Sequence, residues 1–223
     1  VRSRRQRQMC IRDRICSILL SLLHVGLPFL TRFATNQQSQ NLYAGWAMTR
    51  GQAPFGDFYG TNGFLYYVIN WLGSLAGGHW ILVILQAVAL FYAGTSLYQM
   101  VRLLVANKAT AQNVQLLFYF LLLALGFGGT YVTFFSLPVL FASMNLILAY
   151  FIGYRKDEAF VVYGAMAAIA FLIEPMTSAL FYLLAFLGLT AFNIKQKRWA
   201  RGFYQFLAAL SLIHISEPTR PEP

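Results

Sequence analysis

Charge is what this sequence has least of. Asp, Glu, Lys and Arg make up 11% of its 223 residues, and only seven of those are acidic, whereas soluble domains carry about a quarter charged residues. So little charge excludes an ordinary water-soluble domain of this length. Cysteine is almost absent as well. Cys10 and Cys16 are too few and too close to frame a disulfide-stapled fold, and they carry no inference about redox compartment. His24 and His79 stand singly, with no partner at metal-ligand spacing, so no metal site and no cofactor is expected. The one glycine-rich run, Gly126-Phe127-Gly128-Gly129, has no strand before it and no Lys-Ser/Thr after it. It is a helix break and not a phosphate loop. No internal repeat or low-complexity segment is present.

What the chain has in abundance is apolar surface: 58% hydrophobic residues and a mean hydropathy of +0.57. Apolar stretches of roughly 15 to 25 residues recur between positions 15 and 210, the length that a hydrocarbon core of about 30 Å demands of helices rising about 1.5 Å per residue. The fold class expected is all-α, a polytopic transmembrane helix bundle. Spans are expected at 15–30, 80–104, 114–132 and 134–154, followed by two shorter helices, 159–174 and 175–194, joined at Glu174-Pro175.

The two ends read differently. Residues 4–14, RRQRQMCIRDR, back-translate into one frame of a transposon adapter, and residues 210–220, LSLIHISEPTR, into the opposite strand of its partner. The expectation is that 1–14 and 210–223 are adapter-derived and that 15–209 is the native part, an internal piece of a longer membrane protein. Within 15–209 ten basic residues face four acids, so the excess falls from +10 to about +6.

Residues 31–79 form the long polar connection. A helix over 37–50 places Leu42, Tyr43, Trp46 and Ala47 on one face, suited to the membrane interface. Gly51-Gln52-Ala53-Pro54 ends it, and Gly56, Gly60 and Gly63 make a turn-rich link around Asp57. The apolar stretch 64–76 is about 20 Å long as a helix, too short to cross, and is expected to be interfacial or re-entrant. With that segment not crossing, Arg102, Lys108, Arg155, Lys156, Lys195, Lys197, Arg198 and Arg201 all fall on one side, the cytoplasmic side of a bacterial-type cell membrane. The 31–79 loop, the glycine break and the Glu174-Pro175 corner then share the outer face, where any site is expected.

Asp57, lying between glycines, is either a turn former whose side chain caps local backbone groups or a general base at the membrane surface. Glu174, ionisable in an apolar segment, is a site candidate or a solvated corner residue. Arg32 and Arg50 suit phosphate oxygens and equally suit lipid headgroups.

The run Leu42-Tyr43-Ala44, then Arg50-Gly51-Gln52-Ala53-Pro54-Phe55-Gly56-Asp57-Phe58, then Gly63-Phe64-Leu65-Tyr66-Tyr67 resembles the first outer loop of GT-C membrane glycosyltransferases, the group that includes protein-mannosyltransferase-like (family 39-like) enzymes. In that family a catalytic acid lies just after the first span, where residues 36–41 here read NQQSQN. Asp57 is the only acid left in the loop. The resemblance implies a transferase with Asp57 as catalytic base and Arg50, Arg32, Tyr59, Tyr66 and Glu174 as substrate-binding residues. Its partners would be membrane lipid, a polyprenyl-phosphate-linked sugar donor and an envelope polymer, lipid or protein acceptor, with no nucleic acid. The competing expectation is non-catalytic: a transporter, flippase or assembly partner for envelope polysaccharide.

Overall fold

The computed structural model describes residues 14–23, 36–58, 60–76, 79–105, 107–124, 131–153 and 159–195. Among them the chain is all-helical: α1 Arg14–Leu23, α2 Asn36–Thr49, α3 Phe64–Leu75, α4 His79–Leu104, α5 Lys108–Ala124, α6 Val132–Phe151, α7 Ala159–Ile173 and α8 Pro175–Lys195. The expectations placed on Arg32, Tyr59, Arg155, Lys156, Lys197, Arg198 and Arg201, on the 126–129 glycine break and on both tails fall outside the described residues.

Among the described residues, three helices are long and apolar enough to cross a membrane: Trp80–Leu104, Val132–Phe151 and Pro175–Lys195. Two of these match expected spans, and the third is the helix expected at 175–194. Pro175 occupies the first position of α8, where its missing N–H costs nothing and its fixed φ suits the helix, and the helix runs 21 residues. The expected 114–132 span is corrected. The Asn107 side chain accepts a 3.0 Å hydrogen bond from Ala109 N, an N-terminal cap, so α5 starts at Lys108, six residues early, and is 17 residues long. The helix expected at 134–154 is α6, ending at Phe151 with Gly153 at φ 87°, the left-handed C-terminal stop that glycine adopts without a Cβ penalty.

α4 and α6 make the broadest packing contact of the bundle. They run side by side in the same direction, tied by Tyr131 N to Gln86 Oε1 at 3.1 Å and, further along, by Asn145 Nδ2 to the Ser96 carbonyl at 2.7 Å. Val83, Ala87, Leu90 and Phe134 form their shared core, and Ile147, Phe160, Tyr163 and Leu189 join α6, α7 and α8. The last turn of α4 with Arg102, the first residue of α5, Lys108, and the last turn of α8 with Lys195 lie at one end of the bundle.

α3 stays at the other end. Gly63, just before it, donates its N–H to Ile173 O at the end of α7 (2.9 Å). Tyr66 packs on Val132, Ile173 and Phe135, and a Cβ at Gly73 would run into Leu82 in the first turn of α4. All these contacts fall in terminal turns of the long helices, so α3, about 18 Å long, bridges helix ends and does not traverse the bundle. α2 packs on α3 through small residues. Ala44, Gly45 and Ala47 face inward, and a Cβ on Gly45 would lie 2.6 Å from the Asn70 carbonyl. Tyr43 and Trp46 share an exposed face, whereas two positions correct the expectation: Ala47 is buried, because close helix contact selects for small side chains, and Asn41 is buried at 4% exposure as the partner of Asn62.

Candidate functional site

The loop from α2 to α3 is built by local turn chemistry. The α2 helix closes with Arg50 N on Ala47 O at 3.0 Å and Gly51 at φ 87°. Asp57 Oδ2 accepts the Ala53 N–H at 2.7 Å, and Asp57 N returns a 3.0 Å bond to Ala53 O. Phe55 sits at φ 68°, a conformation a bulky residue adopts only when its surroundings hold it there. They do so here: Phe55 N bonds Phe58 O at 3.0 Å, and both rings meet Tyr67 edge-on, at 5.6 and 5.8 Å. Asn62 Nδ2 donates to Asn41 Oδ1 at 3.1 Å, pinning the end of the loop to α2. Arg50 lies over the Trp46 ring, 5.2 Å from its centroid, outside this turn.

Through the Gly63 to Ile173 bond the loop reaches the α7–α8 corner, where the densest polar cluster lies. Glu174 ends α7, its N–H on Ala170 O at 2.9 Å, and starts α8, its carbonyl accepting from Ser178 N at 3.2 Å. Its carboxylate is half-buried and accepts from three hydroxyls: Thr133 Oγ1 at 3.0 Å and Thr177 Oγ1 at 2.7 Å on Oε1, Ser136 Oγ at 2.7 Å on Oε2. Ser136, with a single proton, also lies 3.0 Å from Thr133 O, and the shorter contact is to the charged acceptor. The carboxylate thus sits at the N-termini of both α6 and α8, the ends that carry partial positive charge. It links α6 to the α7–α8 corner through residues, Thr133 and Glu174, that are 41 positions apart in the chain.

Tyr66 borders this cluster. It is fully buried and its hydroxyl makes no hydrogen bond of good geometry; burial pushes the phenol well above its ordinary value, a weak contact with the Asn70 side chain acting against it and Tyr67 and Glu174 adding slightly to it. Ser178 Oγ is likewise buried and unpartnered. An orphaned buried hydroxyl costs about 1 to 3 kcal/mol. Tyr66→Phe is therefore expected to raise the stability of the detergent-solubilised chain by about 1 kcal/mol. A lower thermal-unfolding midpoint for this variant would show that the hydroxyl has a partner.

Of the expected site residues, then, Tyr66 and Glu174 come together, Asp57 is engaged in its own turn and Arg50 by Trp46, while Arg32 and Tyr59 lie outside the described residues. Sequence reasoning missed Thr133, Ser136 and Thr177. Two signals were available: Thr and Ser three apart, on one face of a helix start, and Glu-Pro-x-Thr, which is an N-cap, a first-turn proline and a third-position hydroxyl.

A family model described as "Putative competence-induced protein Ccs4 N-terminal domain" matches residues 2–215. No curated protein and no solved structure matches the chain. The family match overturns the resemblance to GT-C glycosyltransferases and, with it, the expectation of sugar transfer from a polyprenyl-phosphate carrier. The physical reason for the misreading is visible in the loop. Gly51, Pro54, Asp57 and the aromatic start of α3 are the means by which a chain turns back between two packed helices, and any loop with that task converges on them.

Proposed function

We propose that the chain, which belongs to the competence-induced Ccs4 N-terminal domain family, is a multi-pass domain of a bacterial-type cell membrane. It acts there as a membrane-embedded scaffold of the competence-induced state. The observation that carries this reading is an inverted distribution of polarity. Along α8, Met176, Leu180, Leu183, Leu184 and Leu187 form one helical stripe and are 81, 60, 56, 60 and 54% exposed. Gln86, Ser136, Ser143 and Ser178 are fully buried, and Ser143 and Tyr182 share a 2.7 Å hydrogen bond between helices. In water, the stripe alone would forgo on the order of 5 kcal/mol of burial. In hydrocarbon it costs nothing, while buried polar side chains that bond across helices are a means by which membrane helices associate.

The basic end with Arg102, Lys108 and Lys195 then faces the cytoplasm, and the α2–α3 unit caps the outer end, tied to the bundle by the Gly63 to Ile173 bond. Tyr43 and Trp46, both exposed and 5.8 Å apart, suit the headgroup layer. The two carboxylates of this end, Asp57 and Glu174, are both used to hold the fold, which favours a scaffold over a reaction centre.

The test is topological. With Cys10 and Cys16 replaced by serine, Thr61→Cys should react with a membrane-impermeant maleimide in intact cells, whereas Lys195→Cys should react only after permeabilisation. The chain should also stay in the membrane pellet on carbonate extraction. Extraction into the supernatant would mean that a protein partner, not lipid, covers the α8 stripe, and equal labelling of both positions would overturn the orientation.

A further inference from the structure

A second polar feature lies at the opposite, basic end of the bundle, and neither the cap nor the Glu174 clamp uses it. Residues of α4 and α6 line a cleft there of about 570 Å³, with Met166 of α7 in its wall, within the usual range of small-molecule sites. Gln99, Arg102 and Leu103 present themselves from one face of α4, and Asn145, Leu146 and Ala149 from one face of α6. The small side chain of Ala149 leaves the space between them unfilled. Asn145 spends its Nδ2 on the Ser96 carbonyl, and its Oδ1 is buried with no hydrogen-bond partner. The cleft therefore combines three chemical demands: a cation in the last turn of α4, an unfilled buried acceptor on the lining residue Asn145, and an apolar wall of Leu103, Leu146 and Met166.

We infer that this cleft binds the headgroup of an anionic, hydroxyl-bearing phospholipid of the inner leaflet. The proposal rests on the membrane reading above, which places Arg102 at headgroup level on the cytoplasmic side. A phosphate diester matches the guanidinium, and Gln99 can both donate and accept. A headgroup hydroxyl, or water carried in with it, supplies the proton that Asn145 Oδ1 lacks. The apolar wall accounts for the tail. A soluble anion would meet the guanidinium but leave Leu103, Leu146 and Met166 uncovered. A choline headgroup has no proton to donate and carries no net charge. Basic recesses between membrane helices on the cytoplasmic side are sites of this chemistry in general. A second, smaller recess of about 180 Å³ on the other side of Tyr98 and Gln99 includes Lys108, and it adds positive potential to the same end.

The experiment uses the full chain in a neutral detergent, with binding read by native mass spectrometry and by thermal shift. Short-chain phosphatidylglycerol is titrated against short-chain phosphatidylcholine, with glycerol 1-phosphate as the soluble anion. Phosphatidylglycerol should bind and raise the unfolding midpoint, phosphatidylcholine should not, and glycerol 1-phosphate should fail to displace the lipid at equal concentration. Arg102→Gln, on an exposed position, should weaken phosphatidylglycerol binding about five-fold or more, Arg102→Lys should retain most of it, and Lys195→Gln should change it less than two-fold. Ala149→Phe, which fills the cleft while leaving every charge in place, should abolish it. If that variant does not fold, Leu146→Gln tests the apolar wall instead. Unchanged binding in Arg102→Gln overturns the proposal, and so does equal binding of glycerol 1-phosphate. Either result leaves the carbonate extraction untouched, so loss of this site and loss of the membrane reading are told apart.

Discussion

Replacing Gly63 by alanine is expected to destabilise the chain by about 3 kcal/mol, at the upper end of what overpacking costs. This corresponds to a fall of about 10 °C in the unfolding midpoint for a protein of this size. A Cβ at position 63 would enter the carbonyl oxygen of Leu172 and lie 3.0 Å from the carbonyl carbon of Ile173. Both are backbone atoms at the end of α7, so no side-chain rotation relieves the clash. The only escape moves the loop away, which breaks the Gly63 N to Ile173 O bond and lifts Tyr66 from its place on Val132 and Ile173. Gly188→Ala is the control. That glycine is in the middle of α8 with nothing within 4 Å of the added methyl, and alanine there should be neutral or stabilise by up to about 1 kcal/mol. The check is thermal unfolding in detergent followed by tryptophan fluorescence. Similar midpoints for Gly63→Ala and the parent would show that the α3–α7 junction is looser than its geometry states.

The second large effect belongs to Glu174. Glu174→Leu removes the acceptor for Thr133, Ser136 and Thr177 and leaves Ser136, which is fully buried, without its charged partner. Hydrogen bonds to charged groups contribute about 1.5 to 3 kcal/mol each and are not additive when they share an acceptor. The expected total is about 4 kcal/mol. Glu174→Gln keeps one acceptor oxygen and should lose roughly half of that. In the Glu174→Leu background the Ser136 hydroxyl falls back on Thr133 O, so adding Ser136→Ala should cost little there, below about 0.5 kcal/mol. The same Ser136→Ala in the parent should cost about 1.5 kcal/mol or more, and this dependence on background is specific to a clamp. If Ser136→Ala has the same effect in both backgrounds, the hydroxyl and the carboxylate do not act together.

How much of this was legible beforehand varies with the kind of information involved. The short length of the 64–76 segment is legible in the sequence, and α3 bridges helix ends in the structure. Helix α5 was placed six residues late because hydrophobicity locates the apolar middle of a helix, whereas its start is set by the Asn107 cap in a polar stretch. On α2, Tyr43 and Trp46 share an exposed face, but Ala47, expected beside them, turns inward, because the close approach to α3 requires Gly45 and its small neighbours. The loop motif was the most misleading. Its glycines, proline and aspartate were read as an enzyme's signature, and each has a local conformational task that needs no substrate.

By itself, then, the sequence determined that the chain is helical and that several helices are long and apolar enough for a bilayer. It also placed basic residues at alternate connections, which bring Arg102, Lys108 and Lys195 to one end once the helices turn back and forth. These properties follow from composition and from spacing along one element. Only the tertiary structure decided that Glu174 clamps α6 to α8, that Gly63 is the contact point of loop and bundle, and that Gln99, Arg102 and Asn145 line one cleft. Thr133 and Glu174 are 41 residues apart in sequence and 3.0 Å apart in space. Such pairs depend on which helices become neighbours and at what height, and packing of whole faces settles that where no local pattern in the chain can.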